Sequence, residues 1–149
     1  HVCKYTSIAQ NVIVDCGWGH NYNFVSTFPF NAVFKERFGH IKTHPVSKGD
    51  IHIGNDVWVG ENVVIMSGVN IADGSVIGTN SVVTKSTRPY SISAGSPAKE
   101  IKLRFKPYLI SRLLTLKWWD LPFEEAQELV PLLMSENIEE ILKKYNLWP

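Results

Sequence analysis

The stretch "IHIGNDVWVGENVVIMSGVNIADGSVIGTNSVV", Ile51 to Val83, decides the fold, because three kinds of position in it share one period of six. Ile53, Val59, Ile65, Ile71, Ile77 and Val83 keep an aliphatic beat. Two residues ahead of each stand Ile51, Val57, Val63, Val69, Ser75 and Ser81, all aliphatic or small. Three residues behind each stand Asp56, Asn62, Gly68, Gly74, Asn80 and Ser86, all turn formers. A helix does not have this period, and a plain alternating strand is not punctuated by turns. An open sandwich would place one such series by accident, not three.

The spacing predicts a coil of short strands. Each hexad points one aliphatic residue inward and then turns a corner, where Gly, Asn or Asp tolerate positive φ or bond their own backbone. Three hexads close a triangular turn, and stacked turns pair as parallel strands and supply one another's core. The expected fold is therefore an all-β solenoid, a parallel β-helix of hexapeptide repeats. The same beat runs through Val2, Ile8 and Val14 and then lands on His20, after which it stops. Residues 21–46 read as a long inserted loop, with the frame re-entering half a hexad out of step. Loops of this length inside a domain are functional or disordered, and Phe24, Phe28, Phe30, Phe34 and Phe38 argue against disorder.

After Ser86 the run "TRPYSISAGSPAK" reads as a Pro/Gly-punctuated exit from the coil. From about Pro107 the period becomes helical. Ile110, Leu113, Leu114 and Trp118 share one face of a helix ending near Trp119. Asp120 and Pro122 open a second helix, expected to be interrupted at Pro131. Ser135 is the expected cap of a third, striped by Ile138, Ile141, Leu142 and Tyr145. The expected organisation is residues 1–98 for the repeat domain and 99–149 for a C-terminal helical extension.

The 149 residues are enough for one domain with a real core. A net charge of +1 gives no reason to expect a nucleic-acid partner, and no apolar run reaches the length of a membrane span. Cys3 and Cys16 read as free thiols of a reducing compartment, so a cytoplasmic location is expected. The chain opens on His1, not Met.

His20 is the candidate for chemistry. It falls on a slot that the repeat fills with aliphatics, beside the loop. Pointing inward it would be a buried ring in need of partners; swung outward by Gly17 and Gly19 it could act as a general base near neutral pH.

The block "IGNDVWVGENVVIMSGVNIADGSVIGTNSVVTKSTRPYSISAGSPAKEI" resembles the left-handed β-helix acyltransferases. The loop run "STFPF" and the tail "LLTLKWWDLPFEEAQELVPLLMSENIEEIL" resemble their xenobiotic acetyltransferase branch, which also holds enzymes of polysaccharide gene clusters. The resemblance implies a left-handed coil, acetyl-CoA as co-substrate, no metal, and homotrimers with active sites between subunits. "NVIVDCGWGH" is similar to the family's catalytic segment, which maps the base onto His20. His44, in "THPVSKGD", is the rival, because a His-Pro pair marks the base in some sugar acetyltransferases. The group orienting His20 stays open between Asp15 and a backbone carbonyl across a subunit interface.

Further roles are implied in the same way. Trp58 falls near the acetyl site, or packs a neighbouring subunit as a corner aromatic, with Asn21 and Phe28 expected beside the acceptor. Thr79, Thr84 and Gly95 match positions along the pantetheine arm. Lys85, Lys99, Lys102 and Arg104 could meet the phosphates, or are simply solvated surface cations. The implied reaction is direct transfer of acetyl to a hydroxyl. A saccharide acceptor is expected because "GHNYNFV" departs from the "NHRMDG"-like run of the antibiotic enzymes. Antibiotic O-acetylation and amino-sugar N-acetylation are the alternatives, and a non-catalytic hexapeptide scaffold is the rival outside enzymology. A three-histidine metal site, as in carbonic anhydrases of this coil, lacks the required pair spacing on the coil.

Overall fold

A computed structural model describes residues 1–17 and 19–148. Trp18, inside the segment that ends at His20, and Pro149 lie outside the described residues. The hexads form three stacks of parallel strands. Strands β1 (Ser7–Ile8), β4 (Trp58–Val59), β7 (Val76–Ile77) and β9 (Ser91–Gly95) make one face. Strands β2 (Ile13–Asp15), β5 (Val64–Met66) and β8 (Val82–Val83) make the second, and β3 (His52–Ile53) with β6 (Asn70–Ile71) the third. Trp58 pairs with Val76, Val64 with Val82, and His52 with Asn70. Each pairing spans eighteen positions, so three hexads close one turn.

The corners show why the turn formers recur. Asp56, Asn62, Gly68, Gly74 and Asn80 all have φ between 52° and 74°, and Tyr5 and Asn11 hold the same conformation in the first turn. Asn62 Nδ2 donates to Asn80 Oδ1 at 3.1 Å, so stacked corners also bond one another. Inside, Val59, Val63, Ile65, Ile71 and Ile77 are fully buried. Ser75 and Ser81 are equally buried and bonded: Ser75 Oγ donates to the Arg88 carbonyl, and Ser81 Oγ donates to the Gly78 carbonyl.

The first turn differs. Val2, Ile8 and Val14 keep the beat but are 51%, 42% and 47% exposed, each paired on one side with Ile53, Val59 and Ile65 of the next turn. The exit segment folds back as β10 (Ala98–Leu103), antiparallel to β9. Helix α3 (Pro107–Leu116), a 3₁₀ turn (Trp118–Asp120), α4 (Phe123–Leu133) and α5 (Ile138–Lys144) then pack a second core. That core joins Tyr90, Leu109, Ile110, Leu113, Trp118, Trp119 and Leu142.

Four helix expectations need correction. The first helix stops at Leu116, with Lys117 in the left-handed region as its cap. Pro131 does not interrupt α4: it sits in the last turn, where a missing N–H costs one bond and breaks none of those before it. The cap of α5 is Asn137, whose side chain accepts from the Glu140 N–H at 3.3 Å, while Ser135 donates to the Leu132 carbonyl. Tyr145 lies at the helix's C-cap and bonds Glu125 instead of continuing the stripe.

Arg104 is anchored to the prism. Its guanidinium donates to the Gly74 carbonyl at 2.7 Å and to Asp56 Oδ2 at 3.3 Å, and it lies over the rings of Tyr90 and Phe105.

Candidate active site

The inserted loop leaves the prism after β2 and returns before β3. Its root is closed by a two-residue bridge: Val46 N–H donates to the Gly19 carbonyl at 2.8 Å, and Gly19 N–H to the Val46 carbonyl at 3.2 Å. Ser47 Oγ donates to the Cys16 carbonyl at 2.9 Å. Gly17, with φ of 108°, passes so close to Ser47 that a Cβ would come within 2.4 Å of its side chain, so no other residue fits there. Asp15 Oδ1 accepts from the Gly17 N–H at 3.0 Å and belongs to this root.

The root turns His20 outward: its side chain is exposed and does not enter the core. His20 Nδ1 lies 2.5 Å from the Thr27 carbonyl oxygen. A carbonyl only accepts, so Nδ1 carries the proton and Nε2 is left with its lone pair. Within the chain the partner of Nδ1 is thus the Thr27 carbonyl, while Asp15 bonds the loop root. The His44 ring packs edge-on against His20, with centroids 4.3 Å apart. The loop bridge brings the two histidines together although 24 positions separate them.

Beside them is a cavity of about 220 Å³, walled by Asn21, Phe24, Phe28, Asn31, Thr43 and His44 among others. Asn21 Oδ1 accepts from the Asn23 N–H, which fixes this edge of the wall. Asn31 Nδ2 donates to the His44 carbonyl at 3.3 Å. Phe28 starts an aromatic cluster, 4.8 Å from Phe30 and 6.2 Å from Phe34, on two short helical turns, α1 (Phe30–Val33) and α2 (Lys35–Phe38). Phe28, Phe30 and Phe34 are each about half exposed.

The other expected residues lie elsewhere on the coil. Trp58 is 54% exposed on the β1–β4–β7–β9 face, between Ser7 and Val76. Thr79 turns the corner between β7 and β8, and Gly95 N–H donates to Ser81 Oγ at 3.0 Å near it. Thr84 follows β8, on the side of the prism from which the loop departs. Lys85 and Lys99 line one cleft of about 250 Å³ with the Arg88–Glu100 ion pair. Lys102 is exposed on β10. Within one chain, His20 and its cavity gather with Asn21 and Phe28 only. Trp58, Thr79 and Gly95 are not brought to them.

Sequence reasoning missed the Thr27 carbonyl and the cavity walls Asn31 and Thr43. The loop has no period, so no sequence signal marks them. Among the described residues no three His, Cys, Asp or Glu side chains converge to hold a metal ion. No helix among them is long and apolar enough to cross a membrane.

A coil of hexads defines a class of proteins, and known proteins resemble this chain. The model of the bacterial transferase hexapeptide family (six repeats) matches residues 50–85. A probable macrolide acetyltransferase of Lysinibacillus sphaericus is 43% identical over 148 residues, covering 96% of this chain and 82% of that one. A chloramphenicol acetyltransferase of Morganella morganii is 45% identical over 121 residues, 80% of this chain and 58% of that relative. A galactoside acetyltransferase solved in complex with coenzyme A has a TM-score of 0.51 and 31% identity, covering 71% of this chain and 50% of that one. The chain belongs to the hexapeptide-repeat acetyltransferases. It spans little more than half the length of the chloramphenicol relative.

Proposed function

We propose that the protein transfers the acetyl group of acetyl-CoA to a hydroxyl of a sugar or polysaccharide precursor, with His20 as general base in a left-handed coil. The carrying observation is the His20 Nδ1 contact with the Thr27 carbonyl, which makes Nε2 the basic nitrogen of a ring packed on His44, a wall of the aromatic-lined cavity. In this reading Nε2 takes the hydroxyl proton as the acceptor oxygen bonds to the thioester carbon. The carbon–sulfur bond then breaks, and the proton passes to the departing thiolate to give CoA. Such help is worth about 10²–10⁴-fold, the remainder coming from positioning. Aromatic walls suit the apolar faces of sugar rings. Thr79, Thr84 and Gly95 would line the donor's arm, and Lys85, Lys99 and Lys102 would meet its phosphates. Trp58 would reach the acetyl group from a neighbouring chain of a homotrimer.

The names of the macrolide and chloramphenicol relatives favour a second reading, acetylation of an antibiotic hydroxyl in the same cavity. The test is CoA release from acetyl-CoA, read by a thiol reagent, with sugars, an amino sugar and chloramphenicol as acceptors. Sugar-driven release that falls at least a hundredfold in His20→Ala supports the proposal. Release with chloramphenicol alone selects the second reading. Activity that survives in His20→Ala and is lost in His44→Ala moves the base across the loop.

A further inference from the structure

The assignment of His20 as base leaves the second imidazole without a task. His44 is half-buried, walls the acceptor cavity, and packs its ring on His20 with centroids 4.3 Å apart. Among the described residues only its backbone carbonyl is hydrogen-bonded, to Asn31 Nδ2, and neither ring nitrogen has a partner. Asn31 thereby holds the His44 backbone at the cavity, and the Gly19–Val46 bridge holds both imidazoles at one root. A bare packing role would be met by any flat ring. His44 instead puts a ring with hydrogen-bonding nitrogens on the cavity wall, in edge contact with His20.

We propose that His44 is an acceptor-binding residue that recognises the oxygen next to the reacting hydroxyl, so that the preferred acceptor carries oxygens on adjacent carbons. This rests on His20 being the base. Each hydrogen bond reaches about 3 Å from its nitrogen. Two adjacent ring oxygens can therefore be met by two imidazoles in edge contact, one bond to His20 Nε2 and the other to His44. An acceptor with an isolated hydroxyl leaves His44 desolvated and unpaired, which costs affinity. A sugar ring supplies the adjacent oxygens. Chloramphenicol, whose two hydroxyls sit on non-adjacent carbons, does not.

The experiment measures kcat and KM for methyl pyranosides of glucose, galactose and N-acetylglucosamine, each beside monodeoxy analogues lacking a neighbour of the acetylated hydroxyl. Wild type should show a KM roughly tenfold lower for the intact sugar. His44→Ala should erase that difference, raising the intact sugar's KM and leaving the deoxy analogue's alone, with kcat within about threefold. His44→Gln, which still offers a hydrogen bond, should keep part of the difference, as a merely structural ring would not. Equal KM values for intact and deoxy sugars in wild type overturn the proposal whether or not the variants fold. So does acetylation of chloramphenicol and no pyranoside, or a hundredfold fall in kcat for both sugars in His44→Ala. His20→Ala in parallel tests the underlying reading: retained turnover there fails the base assignment, whereas its loss with an indifferent His44→Ala fails this proposal alone.

Discussion

Asp56 and Arg104 show how a corner residue of the repeat acquires a second duty. The corner needs a residue that accepts positive φ, and Asp56 does so at 52°. Its carboxyl is then covered by the helical extension, and burial pushes its pKa up, with Asp73 adding to the rise and Arg104 opposing it. A carboxyl whose folded pKa is raised holds its proton longer in the folded than in the unfolded state. Its contribution to stability is therefore full below the unfolded value of about 3.9 and is lost as pH rises through the folded value. Asp56→Asn should flatten this fall in urea unfolding midpoints measured from pH 3.5 to 7. Arg104→Met removes the opposing charge, so the fall should extend to higher pH. The pair is partly exposed, so losing it should cost about 1–2 kcal/mol at pH 7. Wild-type and Asp56→Asn profiles that run parallel over this window would refute the assignment.

Among the elements, strands β1 to β8 are two- and three-residue pieces that no strand propensity would find, yet their positions were legible because the hexad period is enforced three ways. Inward residues fill a shared core, small residues precede them, and corner residues must accept positive φ. The helices were legible in their stripes but not in their ends. Asn137 caps α5 where Ser135 is an equally good capping residue type, and which one caps depends on where the chain turns after α4. The site was legible only at its root. His20 stands out because it breaks a period, whereas Thr27 acts through a backbone carbonyl that every residue possesses. Burial also separates turns that look alike in sequence. Ile65 is fully buried between β2 and β8, whereas Val14, on the same beat one turn earlier, is 47% exposed. Ile65→Ala should cost about 2–5 kcal/mol and Val14→Ala about 1 kcal/mol or less in chemical denaturation. Equal losses would mean that the end turn is as covered as the middle one.

For the whole molecule, the decisive fact is the separation of the expected site residues over different faces. His20 and the acceptor cavity stand at the loop root beyond β2, and Trp58 stands on the β1–β4–β7–β9 face. The loop's phenylalanines are half exposed, a costly arrangement in water unless another surface covers them. If one site draws His20 from one chain and Trp58 from its neighbour in a closed ring, two inactive variants should complement each other. His20→Ala and Trp58→Ala chains, each tagged differently and co-expressed in equal amounts, should assemble at random. Each mixed trimer would then hold one site in three that pairs an intact His20 with an intact Trp58. CoA release by the doubly purified mixed species should recover towards that fraction of wild type, while each variant alone stays at its own low rate. Sedimentation should give a single trimeric species for all three samples. A strict monomer, or a mixture no more active than its parents, would place Trp58 outside the site and leave the whole reaction to the loop of one chain.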